Sequence, residues 1–174
     1  RLRVRWRTLA ILYSIPVMVE LGKRVLLIDL DPQANLTISL GIPRQKITIY
    51  EALRGEGDLT PYTHRPGLDV ITSSLDLSGA EMELINEAGR EYILRELLAL
   101  LSDDYDYVFI DCPPSLGALS TNGLSAADHA VIVVEPSALS LRGIGAVADL
   151  VDEVWDSHNP SLELAGVIVN KVPA

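Results

Sequence analysis

The sequence is short of the residues that build disulfide frameworks and multi-cysteine metal centres: its 174 residues include one cysteine, Cys112. That excludes an internal disulfide and a multi-cysteine metal or iron–sulfur site within the chain. Histidine is scarce too; His64, His129 and His158 lack metal-ligand spacing and read as ordinary surface or core residues. No apolar run approaches the roughly 20 residues of a transmembrane helix, so no membrane association is expected. No secretory leader is expected either, because Arg1 to Arg7 are basic but residues 9–19 lack a cleavage site and lead into the fold. Positive charge is outweighed, with Lys+Arg 14 against Asp+Glu 24, a net charge of −10 and a pI near 4.6. A field of that sign opposes nonspecific attraction to DNA or anionic lipid. These absences point to a cytoplasmic protein. The exception is local: Arg1, Arg3, Arg5 and Arg7 alternate with Leu2, Val4 and Trp6. This strand-like alternation is either a nucleic-acid or lipid contact or an edge strand guarded by charge.

What the chain has is apolar strand material. Hydrophobic residues make up 48% and the mean hydropathy is +0.25, which suits one globular domain burying roughly 70% of its unfolded surface. Tyr107-Val108-Phe109-Ile110 runs into Asp111-Cys112-Pro113-Pro114-Ser115. A carboxylate at the end of a buried strand lies where open α/β sheets place their ligands. The following prolines remove backbone donors and stiffen the exit loop. The plainer alternative is an aspartate capping the next helix. Three further runs end alike: Lys23 to Ile28 in Asp29 and Asp31, His129 to Val134 in Glu135, and Leu164 to Val169 in Asn170. If the strands are parallel, these polar ends share one rim of the sheet.

The order of elements is readable. Residues 8–21 are ambiguous because Pro16 interrupts a helix there. Strands are expected over 24–30, 68–72, 107–110, 129–134 and 164–169, and residues 58–67 read as loop. Helices are expected within 36–40, 48–54, 79–86, 90–101, 116–127 and 142–155. The stretch 90–101 is strongly amphipathic through Ile93, Leu94, Leu97, Leu98 and Leu101. Alternating strands and helices predict an α/β fold, a mostly parallel, doubly wound sheet with helices on both faces. With no helix following the last strand, the domain is expected to be incomplete at both ends.

An aspartate ending a buried strand suits a Mg²⁺ site beside nucleotide phosphates, and a neighbouring aspartate pair suits orientation of an attacking water. The blocks Val25 to Asn35 and Asp106 to Leu116 resemble the second and third signature blocks of the ParA/Soj partition ATPases, a deviant-Walker P-loop class. Gly67 to Ser73, Leu77 to Glu81 and Thr121 to Asp128 are similar to the family in order and separation. The resemblance runs from about Glu20 to the end. Asp-Pro-Gln after Asp29 distinguishes it from MinD-type membrane ATPases, and the lack of cluster cysteines from the nitrogenase iron protein. The resemblance implies ATP and Mg²⁺ as cofactors, Asp31 orienting the hydrolytic water, Asp29 supporting the Mg²⁺ and water network, and Asp111 as the Walker B carboxylate. It also implies Pro32, Gln33, Pro113, Pro114 and Ser115 in the switch loops, and Asn170 near adenine. Asp29 and Asp31 alternatively cap their loop, and Asn170 alternatively ends its strand. Implied partners are a ParB-like centromere-binding protein, a second copy in a homodimer, and DNA, for which Arg142 and the N-terminal arginines are the local candidates.

The family's P-loop, Lys-Gly-Gly-Val-Gly-Lys-Thr-Thr, is not present. A gapless count places Leu2 to Leu9 on it. Thr8 then falls on the Mg²⁺-binding threonine, Arg7 on the phosphate lysine, Leu9 on the last threonine and Leu2 on the signature lysine. Val4, Arg5 and Trp6 do not readily follow a path that needs glycine, and Arg7 lacks lysine's compact geometry. An alternative alignment makes Leu9 to Leu12 the first strand and omits the loop. The expected organisation is therefore a divergent segment over residues 1–22 and a nucleotide-binding core over 23–174. Two readings follow: an ATPase of DNA segregation, or a non-catalytic scaffold or fragment that lacks tight ATP binding. A flavodoxin-like or dinucleotide-binding module fits poorly, since neither Gly55-Glu56-Gly57 nor Gly143-Ile144-Gly145 opens a helix after a strand.

Overall fold

A computed structural model describes residues 15–84, 89–134 and 138–170. Residues 15–20 are helical (α1) despite Pro16. The helix ends at Gly22, whose φ of 74° suits glycine. Gly22 N donates to Val19 O and Lys23 N to Met18 O, the paired bonds that close a helix C-terminus. The Gly22-Lys23 pair thus joins a helix to a strand.

The strands are β1 (Val25–Asp29), β2 (Tyr62–Arg65), β3 (Leu68–Ile71), β4 (Tyr107–Asp111), β5 (His129–Val134) and β6 (Glu163–Val169). The helices following α1 are α2 (Asn35–Ser39), α3 (Ile49–Leu53), α4 (Leu77–Leu84), α5 (Ile93–Ala99), α6 (Ala118–Ser125) and α7 (Ala138–Ser157). β1 lies between β3 and β4, parallel to both. β2 pairs antiparallel with β3 at the edge. This strand corrects the expected loop over 58–67. Its prolines, Pro61 and Pro66, flank the strand instead of interrupting it, and an edge position tolerates the alternating half-exposed Tyr62, Thr63, His64 and Arg65.

Helices cover both faces of this sheet, as the apolar strands require. Leu26 and Ile28 of β1 join Val108 and Ile110 of β4 in a core with α3, α4, α5, α6 and α7. Val25 and Leu27 face the other way, with Phe109, Leu68, Val70, Ile15 and Leu36. Among the described residues β5 and β6 form a separate two-stranded parallel sheet. The described strands thus pair in two groups. The two parts share one core all the same, because Ala130 of β5 packs in the cluster that holds Ile28 and Ile110. The amphipathic helix begins with a 3-10 turn, Arg90–Tyr92, before α5 buries Leu94 and Leu98. Helix α7 starts at Ala138, earlier than its sequence pattern suggested.

Candidate functional site

The register of β1 and β4 creates the site. Asp29 and Asp111 are paired residues at the carboxyl ends of adjacent parallel strands. Both are almost fully enclosed, with 0% and 2% exposure. Leu30 N donates to Asp111 O at 2.9 Å, extending the pairing one residue into the Asp31 loop. Two buried carboxylates side by side call for compensation by protons, donors or a cation.

Asp29 obtains donors from its own loop. Its Oδ2 accepts from Thr37 N at 2.8 Å and from Thr37 Oγ1 at 2.7 Å, and its Oδ1 accepts from Asp31 N at 3.3 Å. Burial pushes its carboxyl up to about 6, against the lowering effect of the Thr37 bonds. Asp31 is half-buried; its Oδ1 accepts from Gln33 N at 2.9 Å and its carbonyl from Ala34 N at 2.8 Å. Loop capping is thus realised for both aspartates. The turn has a conformational cost: Ala34, with φ of 52°, is the one non-glycine residue at positive φ among the described residues. An L-residue there costs about 1–2 kcal/mol.

The second loop leaves the sheet at Asp111. The alternative in which Asp111 caps the next helix is not met, because α6 starts at Ala118 with Gly117 as its N-cap residue. Cys112 and Pro113 are buried, while Pro114 and Ser115 are exposed. Burial raises the Cys112 thiol far above its ordinary range, which makes it inert packing. Gly123 is needed opposite it, since a Cβ there would lie 2.5 Å from Cys112 Sγ. Pro32 is half-buried and Gln33 exposed on the first loop.

The remaining expected site residues divide. Asn170 follows β6, and its N donates to Val134 O at 2.7 Å, extending the second sheet. Arg7, Thr8, Leu9 and Glu135 lie outside the described residues, as do Leu2 and the N-terminal arginines. Arg142 lies in α7. Among the described residues no three His, Cys, Asp or Glu side chains group as metal ligands. A pair of carboxylates is nevertheless the kind of donor set Mg²⁺ uses, since it keeps several waters and takes one or two carboxylates plus phosphate oxygens. No helix of the described residues is long and apolar enough to cross a membrane.

Sequence reasoning missed Thr37 and Ser73. Ser73 N donates to Thr37 Oγ1 at 3.1 Å, and Ser73 Oγ donates to Asp31 O at 2.8 Å. The signal was available for Ser73, which follows apolar strand β3 as Asp29 ends β1. Nothing in the local pattern marked Thr37.

The chain is similar to known proteins in sequence and in fold. A family model described as an AAA domain matches residues 7–164. The chain is 43% identical over 155 residues to the chromosome partitioning protein ParA of Caulobacter vibrioides, covering 85% of this chain and 58% of that protein. It is 38% identical over 162 residues to the sporulation initiation inhibitor protein Soj of Bacillus subtilis, covering 90% of this chain and 64% of that protein. The chain belongs to the ParA/Soj family. A solved structure, cobyrinic acid a,c-diamide synthase from Mycobacterium smegmatis with bound ATP analog and magnesium, superposes with a TM-score of 0.88 at 37% identity, covering 96% of this chain and 74% of that one. The chain spans between half and two thirds of the length of its partition-protein relatives.

The match to the family model begins at residue 7 and leaves Leu2 to Trp6 outside. Elsewhere the family's blocks have structural duties as well. Asn122 of the Thr121 to Asp128 block accepts from Leu94 N and donates to Arg90 O and Ala118 O, tying α5 to α6.

Proposed function

We propose that this chain is the core of an ATP-hydrolysing switch of DNA segregation. The observation that carries this is the paired, buried Asp29 and Asp111 at the carboxyl ends of adjacent parallel strands. Asp111 and, by the resemblance, Thr8 would hold Mg²⁺, and Asp29 would support its water network. The metal, when bound, neutralises developing charge on the phosphates. Asp31 orients the attacking water from a loop whose main chain is held on both sides. By the resemblance, the phosphates fall to Arg7, Thr8 and Leu9 and the adenine to Asn170. Pro32 and Gln33 on one loop, and Pro113, Pro114 and Ser115 on the other, form the switch segments that respond to nucleotide. The partners are a ParB-like centromere-binding protein and a second copy of the chain; nonspecific DNA binding is a property of the full-length family.

Support comes from the ParA and Soj relatives and from the M. smegmatis protein, which binds an ATP analog and magnesium. The test is titration calorimetry with MgATP and ADP, followed by turnover. The expected outcome is micromolar MgATP binding and hydrolysis that is lost in Asp31→Ala and Asp111→Ala; turnover unaffected by both substitutions would remove these roles.

A second reading is a scaffold that retains the fold without tight ATP binding. One observation favours it: Leu2 to Leu9 lack every glycine of the phosphate-cradling loop. It requires that MgATP leave the melting temperature unchanged, and a clear upward shift would refute it through the linkage of binding to stability.

A further inference from the structure

We propose that Thr37 and Ser73 are positioning residues that hold Asp31 in place for its work on water. The inference rests on the reading of Asp31 given above and extends it to two residues outside the nucleotide motifs. Four residues are joined: Asp29 at the end of β1, Asp31 in the following loop, Thr37 in α2 and Ser73 after β3.

The direction of each bond follows from the donor inventory. The Thr37 hydroxyl has one proton, and Asp29 Oδ2 at 2.7 Å takes it. Its oxygen is then free to accept from Ser73 N at 3.1 Å. The Ser73 hydroxyl gives its proton to Asp31 O at 2.8 Å. The Asp31 main chain is thereby held by Ser73 Oγ and Ala34 N at its carbonyl and by Asp29 Oδ1 at its amide, while Gln33 N restrains its carboxylate. Thr37 and Ser73 are both buried, so water does not substitute for these bonds readily.

The neighbouring hydroxyls take no part in this network. Thr72 Oγ1 and Ser74 Oγ, on either side of Ser73, are buried without a hydrogen-bond partner in the described residues. Ser73 alone of the three engages the Asp31 loop. The loop also sustains left-handed Ala34, a conformation that persists where surrounding bonds over-determine it.

Thr37→Val keeps the side chain's shape and removes the hydroxyl. Both Ser73 N and Asp29 Oδ2 then lose a partner in a buried setting. Thr37→Ser keeps the hydroxyl and removes the methyl, and Ser73→Ala breaks only the bond to the Asp31 carbonyl. The experiment measures kcat and KM for MgATP hydrolysis in this chain and the three variants, together with amide exchange of the nucleotide-free proteins. Misplacing a catalytic group by an ångström costs on the order of 100-fold in rate. Thr37→Val is accordingly expected to lower kcat by about 10- to 100-fold with KM changed less than about twofold. Thr37→Ser should stay within about threefold of the parent kcat, and Ser73→Ala should fall between. Exchange at the Asp31 and Ala34 amides should rise in Thr37→Val and Ser73→Ala.

A Thr37→Ser variant as slow as Thr37→Val would show that the hydroxyl is not what matters, and would overturn the proposal. So would an unchanged kcat in Thr37→Val. If the parent chain turns over no ATP, the proposed function fails separately, and amide exchange decides: unchanged exchange at Asp31 and Ala34 in both hydroxyl-deleted variants overturns the positioning role, and faster exchange sustains it.

Discussion

Strands β1 and β6 are written in nearly the same alphabet and are treated differently by the fold. β1 reads Val-Leu-Leu-Ile-Asp and every residue of it is buried. β6 reads Glu-Leu-Ala-Gly-Val-Ile-Val, yet Leu164, Val167 and Val169 are 46%, 46% and 52% exposed. The difference is neighbours. β1 has a parallel partner on each edge and helices over each face, whereas β6 pairs with β5 alone among the described residues. A carboxylate at the end of β1 is therefore desolvated and tuned. Asn170 after β6, half-buried, extends a backbone ladder. Hydrophobicity gives a strand the capacity to be buried, and the layers above and below it decide whether it is.

The contrast is broken most severely on the buried face that β4 shares with β1. Phe109→Ala should cost about 3–5 kcal/mol in urea unfolding, as buried aromatic truncations do. Phe109 is 1% exposed in the cluster with Val25 and Leu27. A loss near that of a surface substitution would mean the second face of the sheet is not closed.

Asp29 offers a sharper probe because its contribution has a sign. Its folded pKa, about 6, lies above its ordinary value of 3.8. Protonation therefore favours the folded state, and stability should fall as pH rises from about 4 to about 6 in metal-free buffer. The expected drop is about 2–3 kcal/mol, since each pH unit separating the folded and unfolded pKa values is worth roughly 1.4 kcal/mol. Asp29→Asn, which does not titrate, should flatten that portion of the pH–stability curve measured by denaturant melts.

A third probe tests how closely α6 lies on the end of β4. Gly123→Ala places a methyl against Cys112 Sγ and should cost about 1–3 kcal/mol by overpacking. Adding Cys112→Ala should recover part of that loss, because it removes the atom in the way. Failure to recover any would place the strain elsewhere than at the thiol.

The smallest effect belongs to β6. Val167→Ala should change stability by no more than about 0.5 kcal/mol, in line with exposed positions. A loss comparable with that of Phe109→Ala would erase the distinction between the two strands.

Much of the architecture was legible in the residues. The runs ending in Asp29 and Asp111 read as buried parallel strands, and they are neighbours in register. The amphipathic spacing of Ile93 to Leu101 marked a helix that buries Leu94 and Leu98. Strand β2 was not legible, because a polar edge strand carries no apolar alternation and its flanking prolines look like loop. Nor was the order in which the strands pair, since the apolar runs of β1, β4, β5 and β6 carry no record of which edges meet.

At the site, the carboxylates were marked by their position after apolar runs, and the tandem prolines by their chemistry. The hydroxyl relay was not, because Thr37 is eight residues beyond Asp29 and Ser73 comes from another strand. By itself the sequence determined which strands are apolar, where they end and which polar groups stand at those ends, since these depend on local pattern and side-chain chemistry. The tertiary structure decided that Asp29 and Asp111 are paired, that Asp29 is desolvated, and that Thr37 bonds Asp29 while Ser73 bonds the Asp31 carbonyl. Those properties depend on strand register and on groups distant in sequence arriving within hydrogen-bond reach.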